Sequence, residues 1–175
     1  DLLSCFPASA EPGKAFTSVT YSNLYFREPE SRADQTRMMS IVTTGAETGY
    51  YVDVFRSRKE KGGDKMHDYF YHNLGQTLTL TTADGSDLNL QPTEELAFAG
   101  AHLYAYSYLY DKKVAATNKD VKATFTIDMK DKDGDDIYMN LWMKGEPDRE
   151  VFTALAPMTE GLSRTPNMPY NIKEQ

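Results

Sequence analysis

Cysteine is nearly missing from this 175-residue chain: Cys5 stands alone. One thiol cannot close an internal disulfide, so no cross-linked framework holds the fold. The plainest role for Cys5 is that of a small apolar residue near a flexible end, not of a catalytic thiol. Long hydrophobic runs are missing too. No stretch approaches the roughly 20 apolar residues that a membrane-spanning helix needs. Positive charge is scarce: 19 Lys and Arg stand against 26 Asp and Glu, a formal net charge of −7. A nucleic-acid binder needs a basic face to neutralise phosphates, which sets that class aside. A polyanionic sugar polymer stays open, because a local basic groove can sit on an acidic protein.

Compact catalytic signatures are also lacking. The chain holds no Gly-rich phosphate loop, no G-x-S-x-G elbow, no H-E-x-x-H helix and no C-x-x-C pair. No Asn heads an N-x-S/T sequon. The first residue is Asp1 and not Met, as in a processed product or a cut piece.

What is there is β-structure grammar. Hydrophobic residues make up 40 % and aromatic residues 12 %, enough for a real core. Short runs rich in Val, Thr, Tyr and Phe alternate with Gly, Asp, Asn and Pro, which predicts an all-β domain. Strands are expected near Ser18–Phe26, Arg37–Thr43, Tyr50–Arg56, Lys65–His72, Thr77–Thr82, Leu103–Tyr110, Val121–Asp128, Ile137–Lys144 and Glu150–Ala156. In "VKATFTID", Val121, Ala123, Phe125 and Ile127 share one face, and Lys122, Thr124, Thr126 and Asp128 the other. In "IYMNLWMK", Ile137, Met139, Leu141 and Met143 point one way, and Tyr138, Asn140, Trp142 and Lys144 the other. One-sided burial of this kind suits antiparallel sheets packed face to face. Asp84-Gly85 in "TADGSD" and Asp133-Gly134 in "KDKDGDD" are turn signals. A short helix or turn is expected only over Thr93–Gly100, which opens on an N-cap residue and ends on Gly. One domain follows: an irregular opening segment over 1–15, an antiparallel β-sandwich with little or no helix over 16–160, and a poorly ordered tail over 161–175.

Three clusters invite chemistry. His67 and His72 lie five apart. An odd separation on a strand puts side chains on opposite faces, so the two cannot readily share a metal or form a catalytic pair. "DKDGDD" fails as a calcium loop: counted from Asp131, Asp136 takes the place of the required Gly and Trp142 that of the final Glu. An acidic hairpin turn fits better. "HLYAYSYLY" would set Tyr104, Tyr106, Tyr108 and Tyr110 on one face of a strand. Such a ladder can stack on sugar rings or simply pack a sheet. Trp142, on the face of Tyr138, leaves the same two readings open.

The order of segments adds a resemblance. "VDVFR" (Val52–Arg56), the Gly62-Gly63 turn, "HDYFYH" (His67–His72) and, much later, "IYMNLWMKGEPDREVFTALAP" follow one another. This succession resembles the C-terminal β-domain of the heparinase II/III-like polysaccharide lyases. The matching positions are Asp53, Phe55, Arg56, His67, Asp68, Tyr69 and His72. The resemblance implies a module of an enzyme that cleaves uronic-acid polysaccharides by β-elimination. That reaction needs a base for the C5 proton, neutralisation of the adjacent carboxylate and an acid for the leaving oxygen. The family's H-x-H-x-D and H-N-T motifs are not in this chain, so no catalytic residue, metal ligand or cofactor is carried over. What the resemblance implies is a non-catalytic piece, partnered in cis by a helical toroid, secreted or periplasmic, that helps to shape the cleft for an acidic polysaccharide. Candidate sugar contacts are Trp142, Tyr138, Tyr106, Tyr108, Arg56, His67 and Tyr69. The alternative is a free-standing carbohydrate-binding or cell-surface adhesion sandwich.

Overall fold

The computed structural model describes residues 1–7, 18–29, 31–63, 65–96, 106–158, 169 and 171–175. The chain divides into two compact units, Asp1–Tyr69 and Phe70–Gln175, where the sequence suggests one domain over 16–160.

The first unit is a four-stranded antiparallel sheet in the order β1-β2-β3-β4. Its strands are β1 (Leu2–Phe6), β2 (Val19–Arg27), β3 (Asp34–Thr43) and β4 (Gly49–Arg58). The three longer strands lie where the runs of Val, Thr, Tyr and Phe predict them. β1 is a correction. The irregular segment expected over 1–15 contains a paired strand, with Cys5 opposite Ser22 and Phe6 opposite Tyr21. Residues 8–17 of that segment lie outside the described residues. Cys5 is half-buried on this strand and not at a loose end. Alternation sorts the sheet into two faces. Ser40 is buried and Met38 and Val42 are half-buried on one, whereas Arg37, Met39 and Ile41 of the same strand are exposed on the other.

The second unit holds three antiparallel sheets: β10-β9-β6, β11-β8-β7 and the two-residue pair β12-β5. The strands are β5 (Leu74–Gly75), β6 (Thr77–Thr82), β7 (Gln91–Pro92), β8 (Tyr110–Ala116), β9 (Val121–Ile127), β10 (Ile137–Met143), β11 (Glu150–Leu155) and β12 (Lys173–Glu174). β9 is the centre of its sheet. Its inward face, Val121, Ala123 and Phe125, is buried, and Val151 of β11 is buried as well. Burial of Val121, Phe125 and Val151 contributes about 1.5–3 kcal/mol each, and that of the smaller Ala123 less. Pro92 sits in β7 at a sheet edge, the place where a residue without an N–H is tolerated. The class is all-β and antiparallel, and several antiparallel sheets are consistent with a sandwich.

Several expectations fail for a common reason: they were local, and pairing is not. The predicted strand Lys65–His72 forms no ladder, and 65–73 is irregular. His67 and His72 are therefore not set on opposite faces of a strand. The tyrosine strand over Leu103–Tyr110 is a 3₁₀ turn at 106–108, and β8 begins only at Tyr110. Tyr104 lies outside the described residues. So does the later part of Thr93–Gly100, from 97 onward; Thr93–Leu96 is not helical. The tail is not loose at its tip. β12 pairs with β5, and the backbones of Gln175 and Asn73 exchange two hydrogen bonds of 2.9 Å. Residues 161–168 and 170 lie outside the described residues.

The turns use the chemistry the sequence advertises. At 82–86, Gly85 adopts φ +88, a left-handed conformation that suits glycine. The Thr82 hydroxyl and the Ser86 N–H donate to the Asp84 carboxylate, which pulls its pKa down to about 2. Between β9 and β10 the chain makes a 3₁₀ turn over Lys130–Lys132, and Asp133, not Gly134, takes the left-handed position at φ 54.

Candidate functional site

Antiparallel register decides which side chains share a surface. On the outward face of β10-β9-β6, Trp142 stands opposite Lys122, which stands opposite Thr81. The next row is Asn140, Thr124 and Thr79, and the third is Tyr138, Thr126 and Thr77. Trp142 is 57 % exposed and Tyr138 59 %. The Thr124 hydroxyl donates to Asn140 Oδ1 at 2.9 Å and fixes the middle row. Four residues of strand separate the two rings, roughly 13 Å. The Tyr138 hydroxyl donates to Asp136 at 3.3 Å, and the charge of Asp136 raises its pKa, so the phenol stays protonated.

The third row opens into a shallow cleft of about 500 Å³. Thr77 and Thr126 belong to both row and cleft; Asp128, Asp136, Lys130 and Lys173 line the rest. Its carboxylates are engaged. Asp128 pairs with Lys130 at 3.4 Å, and Asp136 also accepts the Met129 N–H at 3.2 Å. Among the described residues no group of three His, Cys, Asp or Glu side chains is placed to hold a metal ion.

The first unit carries a separate polar cluster. The Arg37 guanidinium donates through Nε to both Asp53 oxygens at 3.0 and 3.1 Å, and through Nη2 to Oδ2 at 2.5 Å. Tyr69 donates its hydroxyl to the same Oδ2 at 2.8 Å, while its ring lies 6.0 Å from that of Phe55 and 5.9 Å from the Arg37 guanidinium carbon. The hydrogen bonds from Arg37 hold Asp53 below the usual carboxylate range. Burial, then the bond to Asp53, pushes the Tyr69 phenol up to about 12. A phenol so fixed is a donor at neutral pH and not a base.

This pair makes a pH prediction. A carboxylate whose folded pKa is depressed contributes stability above its unfolded pKa, and the contribution is lost as pH falls through the folded pKa. Asp53→Asn should therefore lower the thermal midpoint slightly at pH 7, by the equivalent of about 1 kcal/mol or less, since the pair is partly solvated. The gap between wild type and variant should close below the ordinary Asp range near pH 4. Midpoints measured from pH 7 to pH 2 check this; a gap independent of pH contradicts it.

The structure thus gathers two of the sequence-derived candidates, Trp142 and Tyr138, onto one exposed surface. Tyr69 belongs to the Arg37–Asp53 cluster in the other unit. Arg56 alternates away from Asp53 and Phe55 and faces the opposite side of β4, beside Thr36. His67 is exposed in the irregular stretch. Tyr106 packs edge-on against Phe70 at 5.2 Å, and Tyr108 is 58 % exposed on the 3₁₀ turn, so neither joins a tyrosine ladder. Sequence reasoning passed over Lys122, Asn140 and the threonines as ligands. Their signal was present in the outward faces of "VKATFTID" and "IYMNLWMK"; the register that joins them was not. Arg37 was also passed over, since no local pattern ties it to Asp53 on the next strand.

Fold and surface define an all-β, antiparallel protein with an exposed aromatic and hydroxyl-bearing face. Over 143 residues the chain is 33 % identical to the endo-acting ulvan lyase of Formosa agariphila. The match covers 79 % of this chain and 17 % of that protein's length. No family model and no solved structure matches the chain. The relation to a polysaccharide lyase agrees with the resemblance read from the sequence. The heparinase family and its glycosaminoglycans find no support in it. No helix among the described residues is long and apolar enough to cross a membrane.

Proposed function

We propose that this chain is a β-module of a polysaccharide lyase, itself non-catalytic, that helps to hold an acidic polysaccharide such as ulvan for β-elimination elsewhere in the enzyme. The observation that carries this reading is the 143-residue match to an ulvan lyase of which the chain spans only 17 %. The engaged state of Tyr69 and Asp53 supports the non-catalytic part, because a phenol donating to a guanidinium-bound carboxylate is poorly placed to take a proton. A secreted or periplasmic location belongs to the same proposal, since a polymer of this size is met outside the cytoplasm. The helical toroid in cis, expected from the resemblance, is the natural candidate for the catalytic partner.

The test has two arms. The purified chain should give no rise in the ultraviolet absorbance of unsaturated product with ulvan, alginate, heparin or heparan sulfate. Removing the matching 143-residue segment from the related ulvan lyase should weaken turnover of polymeric ulvan. Clear turnover by the chain alone, or undiminished turnover by the shortened lyase, overturns the reading.

A further inference from the structure

Resting on the polysaccharide-lyase reading above, we propose that the outward face of β10-β9-β6 is a directional binding surface for one acidic polysaccharide strand. Trp142 and Lys122 take an acidic sugar, and Tyr138 with Asp136 takes a neutral one. Three observations converge on this occupant.

The first is composition. The three paired rows present two aromatic rings, one amide, one ammonium and five threonine hydroxyls, with Asp128 and Lys144 lying beyond them. Sugar rings offer apolar faces for stacking and hydroxyls at their edges, which such a surface complements. The second is partnering. Among the described residues, neither the Trp142 ring nor the Lys122 ammonium has a side-chain partner, although one lies opposite the other across the β9–β10 ladder. Lys122 therefore offers an uncommitted cation to the carboxylate of a sugar stacked on Trp142. The third is polarity along the strand. At the other end the Tyr138 hydroxyl is committed to Asp136, and the cleft beyond presents the carboxylates of Asp128, Asp131 and Asp136 against the two ammonium groups of Lys130 and Lys173. An acidic group is disfavoured there, while sugar hydroxyls can donate to Asp136 and Asn140. The roughly 13 Å between the rings suits an oligosaccharide stretch and not a single sugar. The cleft continues the surface past Tyr138, so a polymer need not end on it.

The experiment measures binding of the 175-residue chain to ulvan and to carboxyl-reduced ulvan by affinity electrophoresis and calorimetry. Trp142→Ala should weaken binding to both polymers by about tenfold, as expected for a central aromatic anchor. Trp142→Phe should restore much of it. Lys122→Gln should weaken binding to ulvan alone and remove most of its salt dependence. Tyr51→Ala, a 76 % exposed change on β4 of the first unit, should leave binding unchanged. Full affinity in Trp142→Ala overturns the proposal, as does equal loss of both polymers in Lys122→Gln. Self-association of the chain through this face, seen by sedimentation and abolished by Trp142→Ala, would also overturn it. None of these outcomes bears on turnover by the shortened lyase, so failure here and failure of the lyase reading remain distinct. Unchanged far-ultraviolet dichroism guards against unfolding, which is not expected from side chains this exposed.

Discussion

Phe125→Ala is expected to cost about 3–5 kcal/mol of folding stability. Phe125 is 3 % exposed at the middle of β9, the central strand of its sheet. Met139 and Leu78 stand opposite it on the two flanking strands, and the Tyr71 ring lies 5.8 Å away. Truncation removes a ring whose neighbours are held by two ladders, so the hole can close only in part. Urea unfolding checks it: the midpoint should fall sharply with little change in slope. If the variant does not fold, Phe125→Leu, which leaves a smaller hole, should still lose a measurable part of the midpoint. A loss below about 1 kcal/mol for Phe125→Ala would mean that the core lies elsewhere.

Gly145→Ala should cost about 1–3 kcal/mol, although it adds only one methyl group to a loop. A Cβ on Gly145 would meet Asn118 O at 2.2 Å, Lys119 C at 2.7 Å and Asp120 N at 2.9 Å. All three are backbone atoms, so no side chain can swing aside. The approach is close because two loops are latched together. The Gly145 N–H donates to Asp120 Oδ1 at 2.7 Å, and Arg149 donates to Lys144 O and Lys119 O, each at 2.6 Å. The β8–β9 and β10–β11 connections thereby fix each other. Thermal unfolding of Gly145→Ala beside Glu146→Ala, an exposed neighbour, checks this, and equal midpoints for the two would contradict it.

The strands that carry the candidate surface were legible because alternation is a local property. "VKATFTID" and "IYMNLWMK" each announce an inward and an outward face, and β9 and β10 obey them except at Ile137, which is exposed at the start of β10. β1, β5, β7, β8 and β12 were not legible, and for all but β1 and β8 the reason is length. A two-residue strand such as Lys173–Glu174 has no period to read and exists only because Leu74–Gly75 is there to receive it. The stretch at 65–73 failed in the opposite sense. It has the aromatic habit of a strand, yet its rings are used one by one, Tyr69 on Asp53 and Tyr71 on Phe125. Side chains engaged separately, in two different units, leave the backbone without a single ladder to join.

By itself, then, the sequence determined the all-β class, the faces of β9 and β10, and the kinship to a polysaccharide lyase. These rest on residue period and residue identity, which are written along the chain. Only the tertiary structure decided that Trp142 faces Lys122, that Tyr69 is bound to Asp53 and Arg37, and that the tyrosines of 106–108 form no ladder. Each of these depends on register or on a contact between residues distant in sequence. Such contacts are set by which strands find one another, and one residue of slip would turn Lys122 away from Trp142.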